Sequence, residues 1–127
     1  MDILLDSHAA VWWADDPSLL DDEAVSAIAD ESNTVWFSSA SAWELSIKVR
    51  RGKLALDVGE LVDQLSRHGI RLLGIGVDDA IAAGELDWLH RDPFDRMLVA
   101  QARRLQYRLL TRDDAIRRFL GAGALPA

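Results

Sequence analysis

The sequence contains no cysteine, which excludes a disulfide framework and any thiolate metal site. Its three histidines, His8, His68 and His90, fall without the spacing of a ligand set, and there is neither a Gly-rich phosphate loop nor a Gly-x-Ser-x-Gly elbow. No apolar run approaches the roughly 20 residues a membrane helix requires. The start, Met1-Asp2-Ile3-Leu4-Leu5-Asp6, has no basic segment and too short an apolar run for a signal peptide. The expectation is a soluble, cytoplasmic protein. Basic residues are missing from residues 1–47, which hold ten Asp or Glu; residues 48–127 hold eleven acids and all fourteen Lys and Arg. A net charge of −7 argues against a general phosphate-coating protein, because nonspecific nucleic-acid affinity comes from neutralising many phosphates. It leaves room for a small basic rim beside an acidic pocket. Lys48, Arg50, Arg51 and Lys53 form one local cluster and Arg103, Arg104 and Arg108 another. The first has a structural explanation as well, since cations complement the negative end of a helix.

What is present suits one domain spanning 1–127: half of the residues are hydrophobic, enough for a proper core at this length. Asp2 to Leu5 reads as a short buried strand, followed from Ser7 by a helix carrying Val11, Trp12 and Trp13. Adjacent helical positions differ by about 100°, so the two tryptophans cannot both point inward; one is expected to be left out of the core. Asp15-Asp16-Pro17-Ser18 breaks the chain, and Asp21 to Glu31 is an amphipathic helix. Val35-Trp36-Phe37 is the second strand. Ser38-Ser39 offers an N-cap for a helix through Arg51, closed by Gly52. A helix over Val58–Arg67, a strand over Ile70–Leu73 and a helix over Val77–Leu89 with a weak point at Gly84 follow. Asp92-Pro93 starts a helix to Leu105, Tyr107–Leu110 is the fourth strand, and the last helix is Ala115–Leu120. Residues 121–127, small and flexible, are expected to be a frayed tail. Strands alternating with helices indicate an α/β fold with a mostly parallel sheet covered on both faces.

The acids stand at the junctions of these elements. Asp6 ends the first strand, Glu44 follows the second, Asp113 follows the fourth, and Asp95 falls at the third position of the helix opened by Asp92-Pro93. Each has an ordinary explanation: an acid at N3 favours the helix's positive end, and Glu44 is four residues before Lys48, a surface ion pair worth a few tenths of a kcal/mol. In parallel sheets, however, ligands gather beyond the carboxyl ends of the strands, where all four acids could converge. Like charges brought together repel unless a cation sits among them. Oxygen-only donors suit Mg²⁺ or Mn²⁺ rather than zinc. Such ions act on phosphate oxygens, polarising the phosphoryl group and activating water. His8 reads as a packed or capping histidine despite its nearness to Asp6.

Leu4-Leu5-Asp6-Ser7-His8-Ala9, Ser41-Ala42-Trp43-Glu44-Leu45-Ser46-Ile47-Lys48, Gly52-Lys53-Leu54, His90-Arg91-Asp92-Pro93-Phe94-Asp95-Arg96 and Leu110-Thr111-Arg112-Asp113, taken together and in this order, resemble the PIN-domain ribonucleases, specifically the VapC-type toxins of bacterial toxin–antitoxin pairs. The resemblance spans residue 3 to about 120. It implies a three-layer α/β/α sandwich and a Mg²⁺- or Mn²⁺-dependent endoribonuclease. Its partners would be an RNA substrate, an antitoxin and a second copy of the chain. Asp6, Glu44, Asp95 and Asp113 match the family's acidic quartet, and Ser7 matches a supporting hydroxyl position. Asp92, Asp114 and Thr111 group with the supporting residues, and Lys48, Arg50 and Arg51 with a rim for RNA. The chain departs from the family at Asp87-Trp88-Leu89, where a Leu-Pro step is usual. A receiver-like domain would need a lysine where Thr111-Arg112-Asp113 stands. A non-catalytic PIN-like module would be expected to lose one of the four acids. A PIN-like nuclease acting on other nucleic acid is the runner-up, because acids of this kind read a phosphate and not a sugar.

Overall fold

Apolar residues alternate along the central strands, and the two sets face different layers. In the computed structural model, which describes residues 1–127, the first strand β1 (Asp2–Leu5) sends Ile3 and Leu5 to one side and Leu4 to the other. β2 (Thr34–Ser38) sends Val35 and Phe37 to the first side and Trp36 to the second; β4 (Arg108–Thr111) divides Leu110 and Leu109 in the same way. Helices α1 (Ser7–Asp15), α2 (Asp22–Ala29) and α4 (Val58–Arg67) cover the first face through Ala9, Ala10, Ala24, Leu61 and Leu65. Helices α6 (Pro93–Leu105) and α7 (Asp114–Leu120) cover the second through Leu98, Val99, Ala102 and Ile116. Helix α3 (Ser39–Arg50) spans the two, giving Ala40 to one core and Leu45 to the other. The result is the expected α/β/α sandwich.

The sheet has five strands in the order β3-β2-β1-β4-β5, all parallel. From β1 the chain moves outward through β2 to β3 (Arg71–Leu73), then returns to the other side of β1 for β4 and β5 (Ala124–Pro126). The switch of direction therefore lies between β1 and β4, the place where open α/β sheets leave a crevice beyond the strand ends. Asp6 follows β1 and Asp113 follows β4, and Asp6 N–H donates to Leu110 O across the gap at 3.1 Å.

Two expectations are corrected. The tail is not frayed: β5 pairs with β4, Leu125 opposite Leu110, and Ala127 is 2% exposed with its N–H donating to Thr111 O. Pro126 is tolerated because β5 is an edge strand, and Arg112 draws the segment in by donating to Ala127 O at 2.7 Å. Helix α5 (Val77–Glu85), which lies against α6, contains Gly84 and stops four residues before Leu89. Its C-terminal carbonyls have another partner. The Arg96 guanidinium donates to Ala83 O at 2.9 and 3.1 Å, to Leu86 O at 3.0 Å, to Trp88 O at 2.6 Å and to His90 O at 3.1 Å. A cation satisfying the last carbonyls of a helix is favourable, and here it also fixes the path of Asp87-Trp88-Leu89.

Candidate active site

Three helices begin at the switch point, and an aspartate caps each of them. Asp6 Oδ1 accepts from Ala9 N–H at 2.7 Å at the start of α1. Asp92 Oδ1 accepts from Phe94 and Asp95 N–H at 2.9 and 3.0 Å at the start of α6, where Pro93 has no donor to leave unpaired. Asp113 Oδ1 accepts from Ile116 N–H at 3.0 Å at the start of α7. Capping commits one oxygen of each carboxylate and leaves the other. Helix α3 brings Glu44 to the same place. Ser7 Oγ donates to Glu44 Oε1 at 2.6 Å, and Lys48 Nζ lies 3.5 Å from Oε2. The ordinary ion-pair reading of Glu44 is therefore satisfied and does not compete with the other.

These residues line one cavity of about 180 Å³, whose walls include Asp6, Glu44, Asp92, Asp95 and Asp113 with a single cation, Lys48. The imbalance shows in the carboxyls. Burial pushes Asp95 up to about 6, with the neighbouring Asp92 and Asp113 adding to the rise and His90 opposing it. Burial likewise raises Asp6, with Glu44 adding, against the Thr111 hydroxyl, the Ala9 N–H and His8. Two carboxyls raised side by side mark a place where negative charge is under-compensated, which is the electrostatic signature of a functional site. The donors fit a hard divalent cation, being carboxylate oxygens without sulfur. In this arrangement no three of them converge on one point. The reason is visible in their partners: Asp95 Oδ2 faces His90, Glu44 is shared by Ser7 and Lys48, and the capping oxygens of Asp6 and Asp113 face backbone N–H groups. Gathering a cation asks these side chains to turn.

The four acids of the quartet and the supporting Ser7 and Asp92 are thus brought together. Thr111 is buried and accepts from Asp113 N–H at 3.1 Å, holding the turn on which Asp113 sits. Asp114 is not part of the cavity; it is exposed at the first turn of α7 and borders a separate groove with Arg117 and Arg118. Of the three basic rim residues only Lys48 reaches the wall, while Arg50 and Arg51 are exposed at the C-terminal end of α3, where cations meet the helix's negative end. Two histidines were underrated by their spacing. His90 Nε2 and Asp95 Oδ2 share a hydrogen bond of 2.7 Å, because the chain reverses at Asp92-Pro93 and brings the ring back over the first turn of α6. His8 is exposed on the cavity wall and, as a packed histidine would, lays its ring over the Trp12 indole; it caps no helix. The tryptophan left out of the core is Trp43, 61% exposed; Trp12 and Trp13 are both half-buried against the first core.

The chain is similar to known proteins over its whole length. The PIN domain profile matches residues 3–120. Ribonuclease VapC22 of Mycobacterium tuberculosis is 34% identical over 118 residues, 91% of this chain and 89% of that protein. Among solved structures, VapBC2 from Rickettsia felis bound to a DNA fragment from its promoter superposes with a TM-score of 0.69 at 15% identity, covering 100% of this chain and 98% of that one. A toxin–antitoxin complex from Klebsiella pneumoniae gives 0.64 at 16% identity, over 97% and 95%. Those two share the fold; the family profile and the 34% identity go further, and with the acids assembled at the switch point they establish that this chain belongs to the PIN-domain family and is a relative of the VapC ribonucleases.

Proposed function

We propose that the chain is a Mg²⁺- or Mn²⁺-dependent endoribonuclease, the toxin of a toxin–antitoxin pair acting in the cytoplasm. The observation that carries this reading is the cavity at the switch point, where five carboxylates face one lysine and two carboxyls are raised by burial. Asp6, Glu44, Asp95 and Asp113 would hold the ion. When bound, a divalent cation supplies Lewis acidity toward a phosphoryl oxygen and a water of lowered pKa. The chain's own residues do the rest: Ser7 orients Glu44, Asp92 and Thr111 hold the turns that carry Asp95 and Asp113, and Lys48 is the cation placed to meet a phosphate. Purified protein is expected to cleave RNA with Mg²⁺ or Mn²⁺ and to stop on chelation. Full cleavage in excess EDTA contradicts the reading, and cleavage of DNA alone transfers it to the other nucleic acid.

Two partners belong to this proposal. The Klebsiella pneumoniae structure is a toxin–antitoxin complex, and a cavity rich in acids suits an inhibitor that inserts an Arg or Lys among them. The second partner is another copy of the chain. Trp43, Ile75, Val77 and Ile81 are exposed, Trp43 and Ile75 border an apolar groove of about 250 Å³ between α3, α5 and α6, and Leu72 is exposed on the neighbouring edge strand β3. Contiguous apolar surface of this kind marks an interface. Sedimentation of the purified chain is expected to show a dimer that Trp43→Glu shifts to monomer; a wild-type monomer at micromolar concentration contradicts this assignment.

A further inference from the structure

The wall of the acidic cavity carries one aromatic ring, that of His8. The ring lies at the second position of α1, exposed, and its nitrogens take no part in the side-chain hydrogen bonds that hold Asp6, Ser7 and Asp95. What holds it is a stack. The imidazole lies over the Trp12 indole, one helical turn on, with ring centroids 5.8 Å apart and planes 25° from parallel. The Arg112 guanidinium stands 4.4 Å from the centroid of the same indole. Arg112 is fixed in turn by donating to the backbone carbonyls of Leu19 and Ala127. A ring of three rotatable possibilities is thereby pinned against a rigid support, with its free surface beside the carboxylates.

We infer that His8 is the base-stacking residue of the proposed ribonuclease site, taking one nucleobase on its exposed ring next to the phosphate that is cut. This rests on the nuclease reading and adds to it the place of one nucleobase, which must be unpaired to reach the ring. Duplex RNA hides its base faces, whereas an unpaired base can be splayed onto an aromatic ring. Stacking of this kind tolerates every base, so it places the strand without choosing its sequence. The support matters because a ring already held in position loses little freedom when the base arrives. A cavity walled by five carboxylates and one lysine repels the strand it must cut; a flat ring on its wall gives the strand a hold that does not rest on charge.

The test uses wild-type protein, His8→Ala and His8→Phe on one oligoribonucleotide containing a cleavage site mapped by sequencing RNA 5′ ends. His8→Ala is expected to lower kcat/KM roughly five- to a hundred-fold, the range of a single base–aromatic stack, with the loss mainly in KM. His8→Phe, which keeps the ring and removes its nitrogens, is expected to restore most of it. The same oligonucleotide with one base deleted at a time as an abasic residue should show one position, adjacent to the cut, where wild type loses as much as His8→Ala and His8→Ala loses nothing more. An effect of His8→Ala that His8→Phe shares overturns the stack in favour of a ring nitrogen. So does an abasic loss that adds to His8→Ala at every position. Unchanged kinetics in His8→Ala overturn it outright while leaving the nuclease reading intact; wild-type protein that cuts no RNA removes both.

Discussion

Asp79 and Asp6 are the two buried carboxylates of the chain, 2% and 9% exposed, and their surroundings treat them in opposite ways. Asp79, on α5, accepts from Arg104 Nε at 2.7 Å, from Gly76 N–H at 2.9 Å and from Gln101 Nε2 at 3.2 Å. Burial raises its carboxyl, but these three donors more than offset that and hold it below the ordinary value. Gln101, fully buried, also accepts from Ser38 Oγ at 2.7 Å, so the network ties α5 and α6 to the end of β2. Asp6 has the Ala9 N–H, the Thr111 hydroxyl and His8 against burial and the neighbouring Glu44, and burial wins: its carboxyl is raised, as is that of Asp95. A buried acid given a cation is part of the frame. A cluster of five acids with one lysine among them is under-compensated and suits something that arrives, and the fold tolerates the electrostatic cost.

Substitutions that remove charge without changing shape sharpen this contrast. The largest expected effect is on activity. Asp6→Asn and Asp95→Asn keep size, and Asp6→Asn also keeps the cap of α1, since Asn caps helices as well as Asp does. Each should lower RNA cleavage by about a hundred-fold or more, by analogy with the loss of a group that stabilises transition-state charge. Initial rates at saturating Mn²⁺ measure it, and activity within a few-fold of wild type breaks the comparison at once.

Stability comes next and should move in opposite directions in the two regions. Asp79→Ala strands Gly76 N–H, leaves Gln101 Nε2 with Gly74 O alone and leaves Arg104 without its partner, costing about 1–3 kcal/mol. Asp6→Asn removes a poorly compensated charge, so it should leave stability unchanged or raise it. Urea midpoints at pH 7 without divalent ions read both.

The pH dependence follows from the same shifts. Asp95 is raised from 3.8 to about 6, so the folded chain binds its proton more tightly than the unfolded one. The penalty of its charge is present in full above about 6 and is relieved as pH falls from there toward 3.8. The difference in stability between Asp95→Asn and wild type should therefore shrink across that window. Asp79 is lowered, so its contribution is present above the ordinary carboxylate value and is lost as pH falls through its own lower one. The deficit of Asp79→Asn should persist at pH 5 and fade only below about 4. Melting curves from pH 7 to 3 test the order of the two windows.

The smallest effect separates the basic residues near Glu44. Lys48 lines the cavity and Arg50 and Arg51 do not. Lys48→Ala should reduce the slope of log affinity against log salt by about 0.7 for a single-stranded RNA, and replacing both Arg50 and Arg51 by Ala should leave it within error. A larger change from the arginine pair would restore them to the rim.

Local rules made the frame of the site legible. Asp92-Pro93, Asp6 after Leu5 and Asp113 after Thr111 are helix starts that any reading of capping identifies, and their place at strand ends follows from the alternation of strands and helices. The long-range choices were not legible. The tail joins the sheet because Arg112 and Thr111 bond to Ala127 from another part of the chain, and seven small or apolar residues show none of that. Trp12 and Trp13 are both accommodated because Arg112 covers one and His68 meets the other edge-on at 5.0 Å, which leaves Trp43, on a helix whose apolar positions point several ways, as the exposed one. His90 was hidden by counting along the chain, where a reversal at Pro93 places it against Asp95.

The claim that the acidic cavity is kept for a divalent cation is tested most directly by the stability of the RNA-free protein as Mn²⁺ is added. A ligand that binds only the folded chain stabilises it by about 2.7 kcal/mol at a hundred times its dissociation constant. Wild type and Asp79→Asn should both gain stability with rising Mn²⁺ in parallel, and Asp6→Asn and Asp95→Asn should gain little. A wild-type stability that stays flat up to millimolar Mn²⁺ and Mg²⁺, or a gain that survives in Asp6→Asn and Asp95→Asn together, contradicts the account.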